Sequence, residues 1–206
     1  MTLLITISRS MSPATYGLAT TILIVSLIGI YRRNIFARLL LHPYSIIHQR
    51  EYYRLFTADF VHNDLMHLIL NEVTLYVFCS DLEEVLRRKS EYGSWQFLEI
   101  FFICLATSNI LYTLRYRNNF DNSSAGSSPS VMGCLFAFMI IDPHGTAVNF
   151  AFIGGVENIY TGLIYILLLI YYKWRKGNEM INHEIHFYGA LGGILAAFVV
   201  SPPTLF

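Results

Sequence analysis

Four polar residues in an otherwise apolar chain stand where they could do chemistry together. Ser128 lies in the segment Gly126-Ser127-Ser128-Pro129-Ser130-Val131-Met132-Gly133, which closes a polar loop and opens an apolar run to Ile141. Serine, then proline, then apolar residues is the grammar of a helix start, with Ser128 expected at the N-cap and Pro129 at the first helical position. A serine there sits among unpaired backbone N–H groups at the positive end of a helix, which suits an alkoxide or oxyanion. The octet equally describes a serine that only caps a membrane helix, so the histidines decide between the two.

His67 and Asn71 are spaced i, i+4 and project from one face of a single helix, where two donors can hold an oxyanion. Hydrogen bonding across a bundle is the simpler use of that pair. His186 opens His186-Phe187-Tyr188-Gly189-Ala190-Leu191-Gly192-Gly193. Gly189 and Gly193 clear one stripe of its helix, and Gly133 and Ala137 clear a matching stripe after Ser128, so the two backbones can approach closely. That approach would bring His186 within reach of Ser128, as a general base must be. No acid stands beside the histidine, which favours a Ser–His dyad over a triad. His183, one turn away, is the alternative base. The His183-Glu184-Ile185-His186 spacing is not that of a zinc protease helix.

These side chains must be positioned by membrane helices. Of 206 residues, 54% are hydrophobic and only 14% charged, against about 25% charged in a soluble domain. Fourteen basic and fourteen acidic groups cancel, so no basic surface argues for nucleic acid. The three cysteines lie inside apolar runs without CxxC spacing and read as buried free thiols. Residues 1–12 lack a basic n-region and are not expected to form a signal peptide.

The apolar runs predict an all-α polytopic membrane protein forming one domain over residues 1–206, with spans at about 14–31, 63–80, 93–114, 129–141, 159–174 and 184–201. The first connection mixes five arginines with aromatics and reads as an interfacial segment. The charged cluster from Asp81 to Glu91 is expected to end the second span. Alternate spans run in the same direction, so spans two, four and six begin on one face. His67, Asn71, Ser128 and His186 therefore share that face and roughly one depth. Ionisable side chains in lipid cost about 2.5–3.5 kcal/mol at mid-membrane and mark function. Glu72 and Glu99 read as packing groups, since Glu72 points about 100° from Asn71.

Taken together these motifs resemble the rhomboid family of intramembrane serine proteases over about residues 53–198. Tyr53-Arg54 is similar to the family's Trp-Arg segment, with Tyr in place of Trp. His62-Asn63-Asp64-Leu65-Met66-His67-Leu68-Ile69-Leu70-Asn71 is similar to its HxxxN helix, and Glu83 stands where the family carries a glutamate. Gly126-Ser127-Ser128-Pro129 stands in the place of GxSG, and His186 with Gly189 and Gly193 resembles the catalytic-histidine helix. One departure is Pro129 in place of glycine.

The resemblance implies a six-helix bundle that hydrolyses peptide bonds in or near transmembrane segments of single-span or polytopic substrates. Ser128 would be the nucleophile and His186 the base, with His67 and Asn71 as oxyanion donors and Gly126 and Ser127 beside the substrate. No metal or organic cofactor is implied. The lipid bilayer is the other partner, and a bacterial inner membrane the expected location. The family topology puts the site-bearing face outside, whereas ten of the fourteen Lys and Arg lie on that face, and the positive-inside tendency points the other way. The alternative reading is a catalytically inactive relative that binds transmembrane helices, for which Pro129 is the best argument. A proton-relaying transporter is third, without an inverted repeat to support it.

Overall fold

A computed structural model describes residues 12–146, 148–150, 154–174 and 183–201. Helix α1, Pro13–Tyr31, follows Ser12 and stops at the Arg32-Arg33 pair. Its first amide groups would be orphaned in an apolar setting. They are met instead by the buried Glu83 carboxylate, which accepts from Ala14 N at 3.0 Å, Thr15 N at 2.8 Å and the Thr15 hydroxyl at 2.8 Å.

The first connection folds into three short helices, α2 (Arg33–Leu39), α3 (Pro43–His48) and α4 (Arg54–Thr57), followed by a 3-10 turn at Ala58–Phe60. Buried Arg54 organises it, donating to the carbonyls of Ala37 and Leu40 at 2.9 Å each and to Glu51 at 2.6 Å. Tyr31, Tyr52, Tyr53 and Phe56 remain exposed around it, in keeping with the interfacial segment expected from the sequence.

The second apolar element differs from expectation. Helix α5 (Leu65–Thr74) passes through a π-helical turn at Leu75–Cys79 into α6 (Ser80–Lys89), so the helix runs 25 residues from Leu65 to Lys89. The charged cluster does not end it, because Glu83 is buried with its donors on α1 and Arg87, Arg88 and Lys89 stand in the last turn, where they complement the helix dipole. Helix α7 spans Gly93–Tyr116. Helix α8, Ser128–Ile141, is apolar on all sides and buried along nearly its whole length, so it is the central helix. At 14 residues it extends roughly 21 Å, shorter than the ~30 Å hydrocarbon layer.

Among the described residues one short hairpin departs from the all-helical expectation: β1 (Val148–Phe150) pairs antiparallel with β2 (Gly154–Val156). Helix α9, Asn158–Trp174, follows and sets Ile166 against the cluster of Met132, Leu135 and Phe136. Helix α10, His183–Val200, packs across α7 and α8. Among the described residues four helices are long and apolar enough to cross a bilayer: Pro13–Tyr31, Leu65–Lys89, Gly93–Tyr116 and His183–Val200. The expectations for residues 1–11, for Arg175-Lys176-Gly177 and for Pro202-Pro203 fall outside the described residues.

The close stripe between α8 and α10 lies one turn earlier than the pairing of Gly133 with Ala137 predicts. A Cβ on Gly189 would collide with the Pro129 backbone, and one on Gly193 with the carbonyl of Gly133. Cys79, Cys104 and Cys134 are buried free thiols, grouped in the core with Phe101, Leu105 and Ala197.

Candidate active site

Helix α8 begins at Ser128, and Ser127 occupies the N-cap, one position before the residue expected there. The Ser127 side chain makes no cap bond; its hydroxyl turns to Asn71 Oδ1 at 3.5 Å. Ser128 is thus a helical residue rather than a cap, and Pro129 sits in the first turn, where a missing N–H leaves no helical bond unmade. The Ser128 side chain is free to face α10. There His186 Nε2 lies 2.8 Å from Ser128 Oγ, and His186 itself is buried. It is His186, not the alternative base His183, that makes this hydrogen bond.

Because the α8 and α10 backbones touch at Pro129–Gly189 and Gly133–Gly193, the separation of serine and histidine is set by main chain rather than by flexible packing. A neutral imidazole at this distance can accept the hydroxyl proton and return it to a leaving group.

His67 and Asn71 stand on α5 on the other side of the turn. Asp64 caps that helix, accepting from His67 N at 2.8 Å, which fixes where its first turn begins. Asn71 Nδ2 donates to the His67 carbonyl at 2.9 Å, leaving one of its two N–H groups for another acceptor. The His67 ring lies against Gly126, whose φ is 113°, and a Cβ there would come within 2.8 Å of His67 Cε1. Only glycine suits both that backbone and that contact. The six residues expected at the site therefore gather in two groups, Ser128 with His186 and His67 and Asn71 with Gly126 and Ser127, joined through consecutive residues of one turn.

Three further residues hold this turn, and motif reading alone passes over their roles. His62 is buried with Nδ1 2.8 Å from the Ser26 hydroxyl and Nε2 3.4 Å from Ser127 N. Burial, and then the neighbouring His67, push its pKa down to about 3. Asp59, also buried, accepts from the Ser130 hydroxyl and from Asn109 Nδ2 at 2.8 Å. Its burial raises its pKa to about 6 against the lowering effect of those two donors. The first connection thus reaches the turn at several points: Gly126 N donates to the Ala58 carbonyl at 3.0 Å, and Leu41 and Ser124 exchange backbone bonds at 2.8 and 3.0 Å. Of these, only His62 falls inside a stretch that resembles a motif; Asp59 and Ser130 carry no spacing signal.

Glu72 and Glu99 stand apart from this cluster. The Glu72 Oε1 is buried without a hydrogen-bond partner among the described residues. Glu99 is exposed and lines a shallow groove with Phe102, Ile103 and Val199.

The rhomboid domain, as a family, matches residues 49–203, a range that holds every side chain of the cluster except Ser26. Rhomboid-like protein 15 of Arabidopsis thaliana is 25% identical over 170 residues, covering 77% of this chain and 38% of that protein. The rhomboid protease GluP of Bacillus subtilis (strain 168) is 28% identical over 159 residues, covering 77% of this chain and 28% of that protein. The match thus spans well under half the length of either relative.

Proposed function

The chain belongs to the rhomboid family, and from that premise we propose that it is an intramembrane serine protease acting through a Ser128–His186 dyad. The observation that carries this reading is the 2.8 Å hydrogen bond between the Ser128 hydroxyl and the His186 imidazole. In this reading α8 and α9 cross the membrane with the four longer helices, giving one six-helix domain. The short α8 leaves Ser128 below the membrane surface.

A substrate helix unwinds beside the turn and presents its scissile carbonyl. Ser128 Oγ attacks the carbonyl carbon as His186 Nε2 takes the hydroxyl proton. The tetrahedral oxyanion is held by the His67 ring, the remaining Asn71 N–H and the Ser128 amide, with Gly126 and Ser127 lining the approach. Collapse breaks the C–N bond, His186 returns its proton to the departing amine, and water then hydrolyses the acyl-serine by the same exchange. The substrates are single-span or polytopic membrane proteins. The host is a bacterial cell membrane in this reading.

Pro129 favours a second reading, a relative that binds transmembrane helices without cleaving them. Cleavage of a single-span substrate in liposomes, compared between the wild-type chain and Ser128→Ala, separates the two. Cleavage lost only in Ser128→Ala is the expected result. Equal cleavage in both removes Ser128 as the nucleophile. If neither cleaves and the wild-type chain also fails to react with a serine-directed fluorophosphonate, the helix-binding reading stands.

A further inference from the structure

Ser26 on α1 has one hydroxyl proton, and the Phe60 carbonyl lies 2.9 Å from its oxygen in position to accept it. The 2.8 Å contact between Ser26 Oγ and His62 Nδ1 must then run the other way, with Nδ1–H donating to the serine oxygen. That choice fixes the tautomer and leaves Nε2 with a bare lone pair. The lone pair faces the backbone N–H of Ser127 at 3.4 Å. Ser26, His62 and Ser127 are each fully buried.

Resting on the protease reading, we propose that His62 is a positioning residue for Ser128: oriented by Ser26, it holds the Ser127 amide and so fixes the turn from which the nucleophile projects. The amide of the residue before, Gly126, is held by the Ala58 carbonyl. Two consecutive amides ahead of the nucleophile are thus anchored to one short segment of the first connection. Beyond the nucleophile, the Ser130 hydroxyl is anchored to Asp59 in the same segment. Ser128 lies between fixed points on both sides. An N–H near the start of a helix has no partner within it, and here an imidazole nitrogen supplies one. The same nitrogen cannot serve if it is protonated, since it would then present a second N–H to the first; the low pKa of His62 keeps it an acceptor throughout the neutral range.

Geometry at a reacting serine is unforgiving, a displacement of about 1 Å costing on the order of 100-fold in rate. His62→Ala should therefore slow fluorophosphonate labelling of Ser128 by about 100-fold and raise hydrogen exchange at the Ser127 amide. Glutamine carries an acceptor and a donor that can reproduce both ring contacts, so His62→Gln should restore most of the labelling rate. Ser26→Ala frees the ring to turn and should produce a smaller loss in the same direction. The Gln and Ser26 variants carry the test if His62→Ala fails to fold.

Wild-type labelling with an unchanged rate in His62→Ala, or with unchanged exchange at Ser127, overturns this inference alone. A wild-type chain that never labels removes the protease reading, and the positioning role falls with it. In that case exchange at Ser127 still reports whether the tether itself exists.

Discussion

Gly193 lies with its α-carbon against the carbonyl of Gly133, so close that a single Cβ between them would overlap the peptide. This contact fixes the approach of α10 to α8 about two turns along α10 from His186. Gly193→Ala should force the two helices apart. We expect a stability loss of about 1–3 kcal/mol and a fall in fluorophosphonate labelling of about 100-fold, measured by thermal unfolding in mild detergent and by labelling rate. Labelling at the wild-type rate in a folded Gly193→Ala protein would show that the dyad tolerates separation.

Asp59 gives a pH dependence of defined sign. Its carboxyl holds its proton up to about 6 in the folded chain, against the usual 3.8. Its stabilising contribution is complete below the unfolded value and is lost as pH rises through about 6. Asn at this position does not titrate. Relative to the wild-type chain, Asp59→Asn should therefore gain about 2 kcal/mol in stability between about pH 4.5 and pH 7.5. Its loss of the Ser130 and Asn109 contacts adds a constant offset. Parallel stability curves for the two proteins would contradict the burial argument.

Glu83 carries structure rather than chemistry. It accepts from two amides and the Thr15 hydroxyl on α1, and from the Ser94 hydroxyl on α7 at 2.7 Å. Glu83→Ala leaves four donors without an acceptor and should cost at least about 3 kcal/mol, with Glu83→Gln losing less. It stands sixteen residues beyond His67 in the same continuous helix, roughly 24 Å away. Labelling per folded molecule should be unchanged in Glu83→Gln.

Pro129 decides between the two functional readings. Glycine there restores an N–H but no helical hydrogen bond, and it loosens the unfolded chain, so Pro129→Gly should lower stability by about 0.4–1 kcal/mol. Labelling should stay within about threefold of wild type, because the turn is anchored at Ser127, before Ser128, and at Ser130, beyond the proline. A rise of tenfold or more would identify the proline as a brake on the serine.

The separate groups of the site were legible because each sits in a short-range pattern. His67 and Asn71 share a face by helical periodicity, and Gly189 and Gly193 announce a close backbone contact near His186. The order of apolar runs was enough to place these helix ends on one face. What sequence could not convey is how the first connection grips the turn that carries Ser128. Asp59–Ser130, His62–Ser127 and Ala58–Gly126 join residues 65 to 71 positions apart, and no local periodicity encodes such pairings. The helix from Leu65 to Lys89 outran its expected end for a different reason. Its basic residues fall in the last turn, where they suit the helix dipole, and Glu83 is buried; composition alone reads the cluster as a water-facing stop.

The serine and the histidine of the 2.8 Å contact are 58 residues apart in the chain. Ribosomal synthesis runs from the amino terminus, so Ser128 enters the membrane while His186 has yet to be made. The gripping segment, residues 58–62, is already present by then and can receive the serine turn as it emerges. The pairing of Ser128 with His186 therefore waits for α10 to be made and to set its glycines against α8. If the chain is the protease proposed above, such an order of assembly keeps it from attacking its own unfinished helices.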